Sequence, residues 1–113
     1  MSPGTLTEQS TVGIRAVEEI RDALDRIARQ APKAGPRRQG VAAAYRWALS
    51  PREDVPIQRS APVPADPLLR LMAEERLALA SWHDERLTPG DRRYARGVAQ
   101  ALGWILGYTP RCP

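Results

Sequence analysis

The chain has 113 residues, 42% of them hydrophobic, and carries a formal net charge of +4. This length is typical of one domain with a modest core, and the apolar content excludes a wholly disordered chain. One cysteine and one histidine exclude both an intramolecular disulfide and a zinc site built only from these residue types. We therefore predict a single domain over residues 1–113.

The first ten residues, MSPGTLTEQS, lack the basic and apolar segments of a secretory signal, and we expect a flexible N-terminus at 1–10. No run of the sequence approaches the ~20 apolar residues of a membrane span. Together these features predict a cytoplasmic protein without a membrane partner.

The first predicted helix has apolar residues at helical spacing, namely Ile14, Val17, Ile20, Leu24, Ile27 and Ala31. Its other face is charged and contains the i,i+4 pairs Asp22/Arg26 and Asp25/Arg29. This pattern indicates a helix with one solvated face. The segment APKAGP (31–36) predicts the turn that ends it.

The second predicted helix contains the stretch GVAAAYRWAL (40–49). Residues 51–67 follow it and include five prolines in seventeen positions, which is incompatible with a helix. We predict an extended proline-rich strap that crosses the domain. Val55, Ile57 and Val63 are the residues of this strap that we expect to be buried.

Two further helices have clear start signals. The third predicted helix has Asp66 as its N-cap and Pro67 in its first position, and it runs over 68–87. The fourth begins at the TPGD segment (88–91), which resembles a capping box, and ends near Gly107.

A carboxylate stands in the middle of the apolar side of the third helix. That side consists of Leu68, Leu71, Met72, Leu79 and Trp82. Because an isolated charge is strongly disfavoured there, we predict that Glu75 is partly buried and paired, with Arg46, Tyr45 or Tyr94 as its partner. Two alternatives remain open: Glu75 lies in water at the edge of the core, or it is the charged anchor of an interface with a partner.

The chain contains two similar stretches. GVAAAYRWAL (40–49) and GVAQALGWIL (97–106) are identical at six of ten positions. Each copy follows a longer amphipathic segment, so the chain is predicted to be all-α, with four helices arranged as two helical hairpins joined by the proline-rich crossover. We expect Trp47 and Trp104, at matching positions of the two copies, to be buried.

Small residues stand four positions apart in both copies, as Gly40/Ala44 and Gly97/Ala101. This spacing leaves a shallow surface on each helix where another helix backbone can approach closely. The second helices of the two hairpins are therefore predicted to cross each other near a pseudo-two-fold axis.

The phrases AAAYRWALS (42–50) and RRYARGVAQALGWILGYTP (92–110), separated by the proline-rich stretch, resemble small uncharacterised α-helical proteins of high-GC actinobacteria and their phages or mobile elements. The resemblance covers the second to fourth predicted helices. Its motif, Gly-Val-x-x-Ala-Leu-x-Trp, is built from packing residues. The group has no assigned activity, so the resemblance carries over no functional residue.

The segment SWHDE contains Ser81, His83 and Asp84, which are the residue types of a catalytic triad. They are close together in sequence, whereas a triad requires that the side chains meet in space. On a helix, successive side chains point about 100° apart, whereas the groups of a triad converge on one point. The sequence also has no glycine-rich phosphate-binding loop. We therefore predict a protein that is not an enzyme, with no catalytic residue, no metal site and no cofactor.

Arginine outnumbers lysine sixteen to one, and two arginine groups precede the two copies of the repeat. The first group is Arg37 and Arg38, and the second is Arg92, Arg93 and Arg96. Arginines beside the free N–H groups of a helix N-terminus are candidate contacts for a nucleic acid or another anion. A high-GC genome, which favours arginine codons, explains the same residues without any ligand.

Two functions remain as hypotheses. The first is a non-enzymatic protein-interaction module, such as a phage- or mobile-element-encoded adaptor or inhibitor, whose partner is another protein. The alternative is a small DNA-binding transcriptional regulator, and a homodimer is compatible with either. The second helix of each hairpin is apolar, whereas a recognition helix needs a polar face that reads base edges.

Overall fold

A computed structural model describes residues 11–30, 35–50, 56–57 and 66–113. This part of the chain contains four helices: α1 (Val17–Gln30), α2 (Pro36–Leu49), α3 (Pro67–Trp82) and α4 (Pro89–Leu106). They are preceded by two short antiparallel strands, β1 (Thr11–Val12) and β2 (Arg15–Ala16). The predicted all-α class is therefore confirmed. The expectations for residues 1–10, and for the strap apart from 56–57 and 66–67, lie outside the described residues.

Helix α1 packs on α2, and α3 packs on α4, so both predicted hairpins are present. The two hairpins meet through a long contact between α2 and α4, which are the central helices. One apolar cluster includes residues of all four helices. Trp47 and Trp104 both belong to it, with only 4% and 5% of their surfaces exposed, as the repeat predicted.

The central helices touch backbone to backbone at their glycines. A Cβ atom on Gly40 would lie 2.0 Å from the carbonyl oxygen of Tyr94, and one on Gly97 would lie 1.8 Å from that of Arg37. Tyr94 stands three positions before Gly97, and Arg37 stands three positions before Gly40. The contacts are therefore reciprocal, and the predicted close crossing near a pseudo-two-fold axis is confirmed.

The two central helices run in the same general direction. On the C-terminal side of the crossing, the ring of Tyr45 meets that of Trp104 edge-on, with centroids 5.9 Å apart. The C-terminal half of α2 therefore lies beside the C-terminal half of α4. It follows that the N-termini of α2 and α4 lie at the same end of the molecule.

Helix α2 begins at Pro36, four residues before the first copy of the repeat. Pro36 was predicted to lie in a turn, but a proline fits the first position of a helix because that residue needs no N–H partner. Helix α3 ends at Trp82, whereas it was predicted to extend to Leu87. The cause is Asp84, whose side-chain oxygen accepts the backbone N–H of Arg86 and so favours a turn.

The predicted caps of α3 and α4 are present. Oδ1 of Asp66 accepts hydrogen bonds from two backbone N–H groups at the start of α3, at 2.8 and 3.2 Å. Oγ1 of Thr88 accepts the N–H of Asp91 at 3.1 Å. At the end of α4, Gly107 has φ of 84°, and the N–H of Tyr108 donates to the carbonyl of Gly103 at 2.8 Å, which is a Schellman motif.

The assignment of Ile14 to the first helix was wrong. Ile14 lies in the two-residue turn between β1 and β2, after Gly13, whose φ of 60° suits the first central position of a type II′ turn. The N–H of Ile14 donates to the carbonyl oxygen of Ile105 at 3.0 Å. The hairpin is thus held against the last turn of α4 and not extended into α1.

Arg15 completes this attachment. Its Nε donates to the carbonyl oxygen of Trp104 at 2.8 Å, and its Nη2 donates to that of Thr109 at 3.3 Å. The guanidinium also lies over the ring of Trp104, with Cζ 4.7 Å from the centroid. A cation therefore stands at the negative end of the α4 dipole, where it is stabilising.

Candidate functional site

An open groove of about 240 Å³ lies where the end of α3 meets the start of α4. It is lined by Trp82 and by the predicted arginines Arg92, Arg93 and Arg96, and is called here the Trp82 groove. Nε of Arg92 donates to the carbonyl oxygen of Trp82 at 3.0 Å, and Cζ of Arg96 lies 5.2 Å from the centroid of the Trp82 ring. One tryptophan thus positions two guanidinium groups.

A second groove, of about 220 Å³, lies where the end of α1 meets the start of α2. It contains the other predicted pair, Arg37 and Arg38, together with Arg26, and is called here the Arg37 groove. Nη1 of Arg37 donates to Oε1 of Gln100 on α4 at 2.9 Å. The five predicted arginines are therefore divided between two grooves, one in each hairpin.

The two grooves have comparable places in the two hairpins, but their arginines stand at different positions of the repeat, since Arg37 and Arg38 match Tyr94 and Ala95. Each groove lies at the junction between the two helices of its hairpin, beside the N-terminus of a central helix. Since α2 and α4 run in the same direction, both grooves lie at one end of the molecule. That end of the molecule therefore has two arginine-lined grooves.

Among the residues that the structure describes, no arginine of the two grooves forms an ion pair, although Arg92 lies near enough to Asp84 to contribute, after Arg86, to the lowered pKa of that carboxyl. Within the described residues, the ion pair that forms joins Arg86 to Asp84, with Nε 3.0 Å from Oδ1, and it lies outside both grooves. There the Arg86 guanidinium lowers the pKa of the Asp84 carboxyl. Unpaired guanidinium groups at one end of a molecule attract anions.

The segment SWHDE does not form a triad. The carboxylate of Asp84 accepts hydrogen bonds from Nε and Nη2 of Arg86, at 3.0 and 3.1 Å. The imidazole of His83 is exposed and stacks on the ring of Trp82, with centroids 4.9 Å apart. Ser81 lies in the last turn of α3, and its backbone carbonyl accepts the N–H of Asp84.

Glu75 is buried, with 7% of its surface exposed, on the side of α3 that packs against the core. Burial raises the pKa of its carboxyl above the ordinary value of 4.5, and Arg76 opposes the shift in part. Two of the three predicted partners do not pair with it among the described residues: Arg46 is exposed, and the Tyr45 hydroxyl contacts a sulfur atom instead. Burial therefore favours the protonated form of this carboxyl. The role of Glu75 as an interface anchor stays a prediction.

The neighbouring Glu74 is buried more deeply, with 2% of its surface exposed, and the sequence pattern did not single it out. Its Oε2 accepts the backbone N–H of Ile57, the half-buried strap residue that was predicted to be covered. A carboxylate of α3 thereby binds the strap that joins the two hairpins. The apolar spacing of α3 places both glutamates near the core and could not indicate which one meets a donor.

The thiol of Cys112, near the C-terminus, lies beside the buried hydroxyl of Tyr45. The hydroxyl of Tyr45, which is fully buried, lies 3.6 Å from Sγ of Cys112, and Nη2 of Arg26 donates to the same sulfur at 3.5 Å. Burial and this contact raise the pKa of the Tyr45 hydroxyl. The predicted ion pair of Arg26 with Asp22 does not form among the described residues, because Arg26 turns toward the sulfur.

The outer face of α3, opposite its buried side, is apolar. It consists of Leu69, Ala73, Arg76, Leu77 and Ala80, with Arg76 as its charged member. Leu69 and Leu77 expose 52% and 37% of their surfaces. The outer face of α1, by contrast, carries six charged residues: Glu18, Arg21, Asp22, Asp25, Arg26 and Arg29. Leu69 and Leu77 are thus the large exposed apolar side chains of the outer face of α3.

In the part of the chain that the structure describes, no helix is both long and apolar enough to cross a membrane. The same residues contain no group of three metal-ligating side chains. No protein family, curated protein or solved structure matches the chain.

Proposed function

We propose that the protein is a non-enzymatic interaction module that binds another protein through the outer face of α3. The observation that carries this proposal is the exposure of Leu69 and Leu77 on a helix face with one charged member. Apolar side chains that are only partly covered gain about 25 cal/mol for each Å² removed from water on binding. An adaptor or inhibitor encoded by a phage or mobile element would use such a surface.

Arg76 defines the chemistry of the partner. It stands between the leucines on the outer face, and it is exposed. A partner that covers the leucines must also meet this guanidinium, because burying an unpaired charge is costly. We therefore infer a partner surface that is apolar and carries a carboxylate.

The experiment is a comparison of two double variants in a pull-down from lysate treated with nuclease. Leu69→Asn/Leu77→Asn changes the outer face of α3, and Arg21→Asn/Arg29→Asn changes the charged outer face of α1 as the matched control. We expect the leucine variant to lose a protein that the parent and the control retain. Retention of the same protein by all three would refute this interface. Sedimentation that shows dimers of the parent and of the control, but not of the leucine variant, would identify a second copy of the chain as the occupant.

The alternative function, binding of nucleic acid, is favoured by a separate observation, namely the two arginine-lined grooves at one end of the molecule. Helices α2 and α4 form the core, so neither offers the polar face of a recognition helix. The structure thus favours contacts to phosphate over contacts to bases. A mobility-shift assay at low salt tests this function as a whole.

A further inference from the structure

We propose that the Trp82 groove and the Arg37 groove bind the phosphodiester backbone of one nucleic acid duplex, without reading its sequence. This inference deepens the alternative function and rests on it. It does not depend on the outer face of α3. Its starting point is the presence of an arginine-lined groove in each hairpin, at the same end of the molecule.

The Trp82 groove presents guanidinium groups that are already oriented. Arg92 uses Nε to bind the carbonyl oxygen of Trp82, which leaves its two Nη groups for a ligand. Arg96 rests on the ring of Trp82, and Arg93 is exposed at the mouth of the groove. The planar fork of arginine matches the geometry of a phosphate group, and fixing it in advance lowers the entropy lost on binding.

The Arg37 groove repeats these features with other residues. Nη1 of Arg37 is held by Gln100, which leaves Nη2 and Nε of the guanidinium available. Arg38 is exposed beside it. Two sites for the same kind of anion, at one end of a small protein, match a ligand in which the anion repeats.

A phosphodiester backbone is such a ligand, whereas a peptide phosphorylated at one position offers a single phosphate to one groove. A duplex presents phosphates on both strands at regular intervals. Because α2 and α4 are buried against each other, the arginines lie in the first three turns of these helices and not along an exposed reading helix. Contacts of this type give affinity and position the protein but carry no sequence information.

The experiment measures binding of a labelled duplex of random sequence by fluorescence anisotropy over a range of salt concentrations. Three double variants each remove two positive charges: Arg92→Gln/Arg96→Gln in the Trp82 groove, Arg37→Gln/Arg38→Gln in the Arg37 groove, and Arg21→Gln/Arg29→Gln on α1 as the control. Circular dichroism checks that each variant is folded. In the folded parent, the Nε–Hε resonances of Arg92 and Arg96 are followed by NMR as duplex is added.

We expect each groove variant to reduce the slope of log K against log salt by roughly 0.9 for each phosphate that it no longer neutralises, about 1.8 for two phosphates. The control should keep the slope of the parent, and the resonances of Arg92 and Arg96 should shift. A control whose slope falls as much as those of the groove variants would overturn the inference, because charge alone would then explain binding. Duplex binding with unshifted Arg92 and Arg96 would also overturn it while leaving the alternative function intact.

Failure of the parent to bind duplex at low salt would refute the alternative function and this inference together. A singly phosphorylated peptide is the remaining probe. If it binds the parent more tightly than the duplex at the same salt concentration, and the Arg92→Gln/Arg96→Gln variant no longer binds it, the ligand is a phosphoprotein and the proposal of nucleic acid is wrong.

Discussion

The carbonyl oxygen of Arg37 lies against the α-carbon of Gly97, and a Cβ atom on that glycine would stand 1.8 Å from it. Gly97→Ala should therefore force α2 and α4 apart, with a loss of unfolding free energy at or above the upper end of the ~1–3 kcal/mol typical of overpacking. Urea denaturation followed by circular dichroism measures this loss.

Gly103 on the same helix is the matched control. A Cβ atom there would meet only the Thr109 side chain, at 3.6 Å, which is an ordinary contact. Gly103→Ala should raise stability by about 0.5–1 kcal/mol, because glycine weakens the interior of a helix. Equal stability of the two variants would show that the central helices do not touch at Gly97.

Arg15 fastens the β-hairpin to the end of α4 through two carbonyl oxygens and the ring of Trp104. Arg15→Met should lower the free energy of unfolding by about 1.5–3 kcal/mol, the range for hydrogen bonds to charged groups. Arg111→Met, at an exposed arginine near the same end, removes the same charge and should cost little. Equal losses in thermal denaturation of the two variants would contradict the role of Arg15.

The pKa of Glu75 is raised by burial, so its protonated form is the one that the folded state favours. Its contribution to stability is fully present below the unfolded pKa and is lost as pH rises through the folded pKa. Glu75→Gln does not titrate at this position, so its stability relative to the parent should increase between about pH 4 and about pH 7. Denaturation midpoints of both proteins across that range test the sign, and a difference that is constant with pH would mean that Glu75 is solvated.

Glu74 and Glu75 are adjacent but should respond differently to the same substitution. Glu74→Met leaves the backbone N–H of Ile57 without its carboxylate acceptor, and an unsatisfied buried donor costs about 1–3 kcal/mol. Glu75→Met removes no hydrogen bond of this kind and relieves the cost of burying a charge at neutral pH. Chemical denaturation near pH 7 should therefore show a loss for the first variant and none for the second.

The central crossing could be predicted because its determinants are local. Glycine and alanine four residues apart in both copies of the repeat mark a surface of close approach, and no distant residue is needed to recognise it. The caps at Asp66 and Thr88 were predictable for the same reason, since each cap contacts residues two or three positions away. The assignment of arginines beside the two copies was also local.

The β-hairpin and the binding partners of the acidic residues could not be predicted, because they depend on residues far away in the chain. Gly13 is a local turn signal, but Arg15 and Trp104 are 89 positions apart, so no nearby residue indicates that the hairpin is held against α4. Glu74 and Ile57 are 17 positions apart and meet only after the strap is in place. The division of the arginines between two grooves likewise depends on where Trp82 and Gln100 lie after folding.

The reciprocal contact of Gly40 and Gly97 has a consequence for how the molecule is assembled. Since each hairpin packs within itself and the two meet mainly where α2 crosses α4, a break in the backbone between Ser50 and Asp66 would leave two fragments with matching surfaces. Their reassociation would be bimolecular and would depend on concentration, whereas the intact chain holds the hairpins together at a high effective concentration. With two intact chains, the same surfaces permit a domain-swapped dimer in which α2 of one crosses α4 of the other and Arg15 of the first binds the end of the same α4.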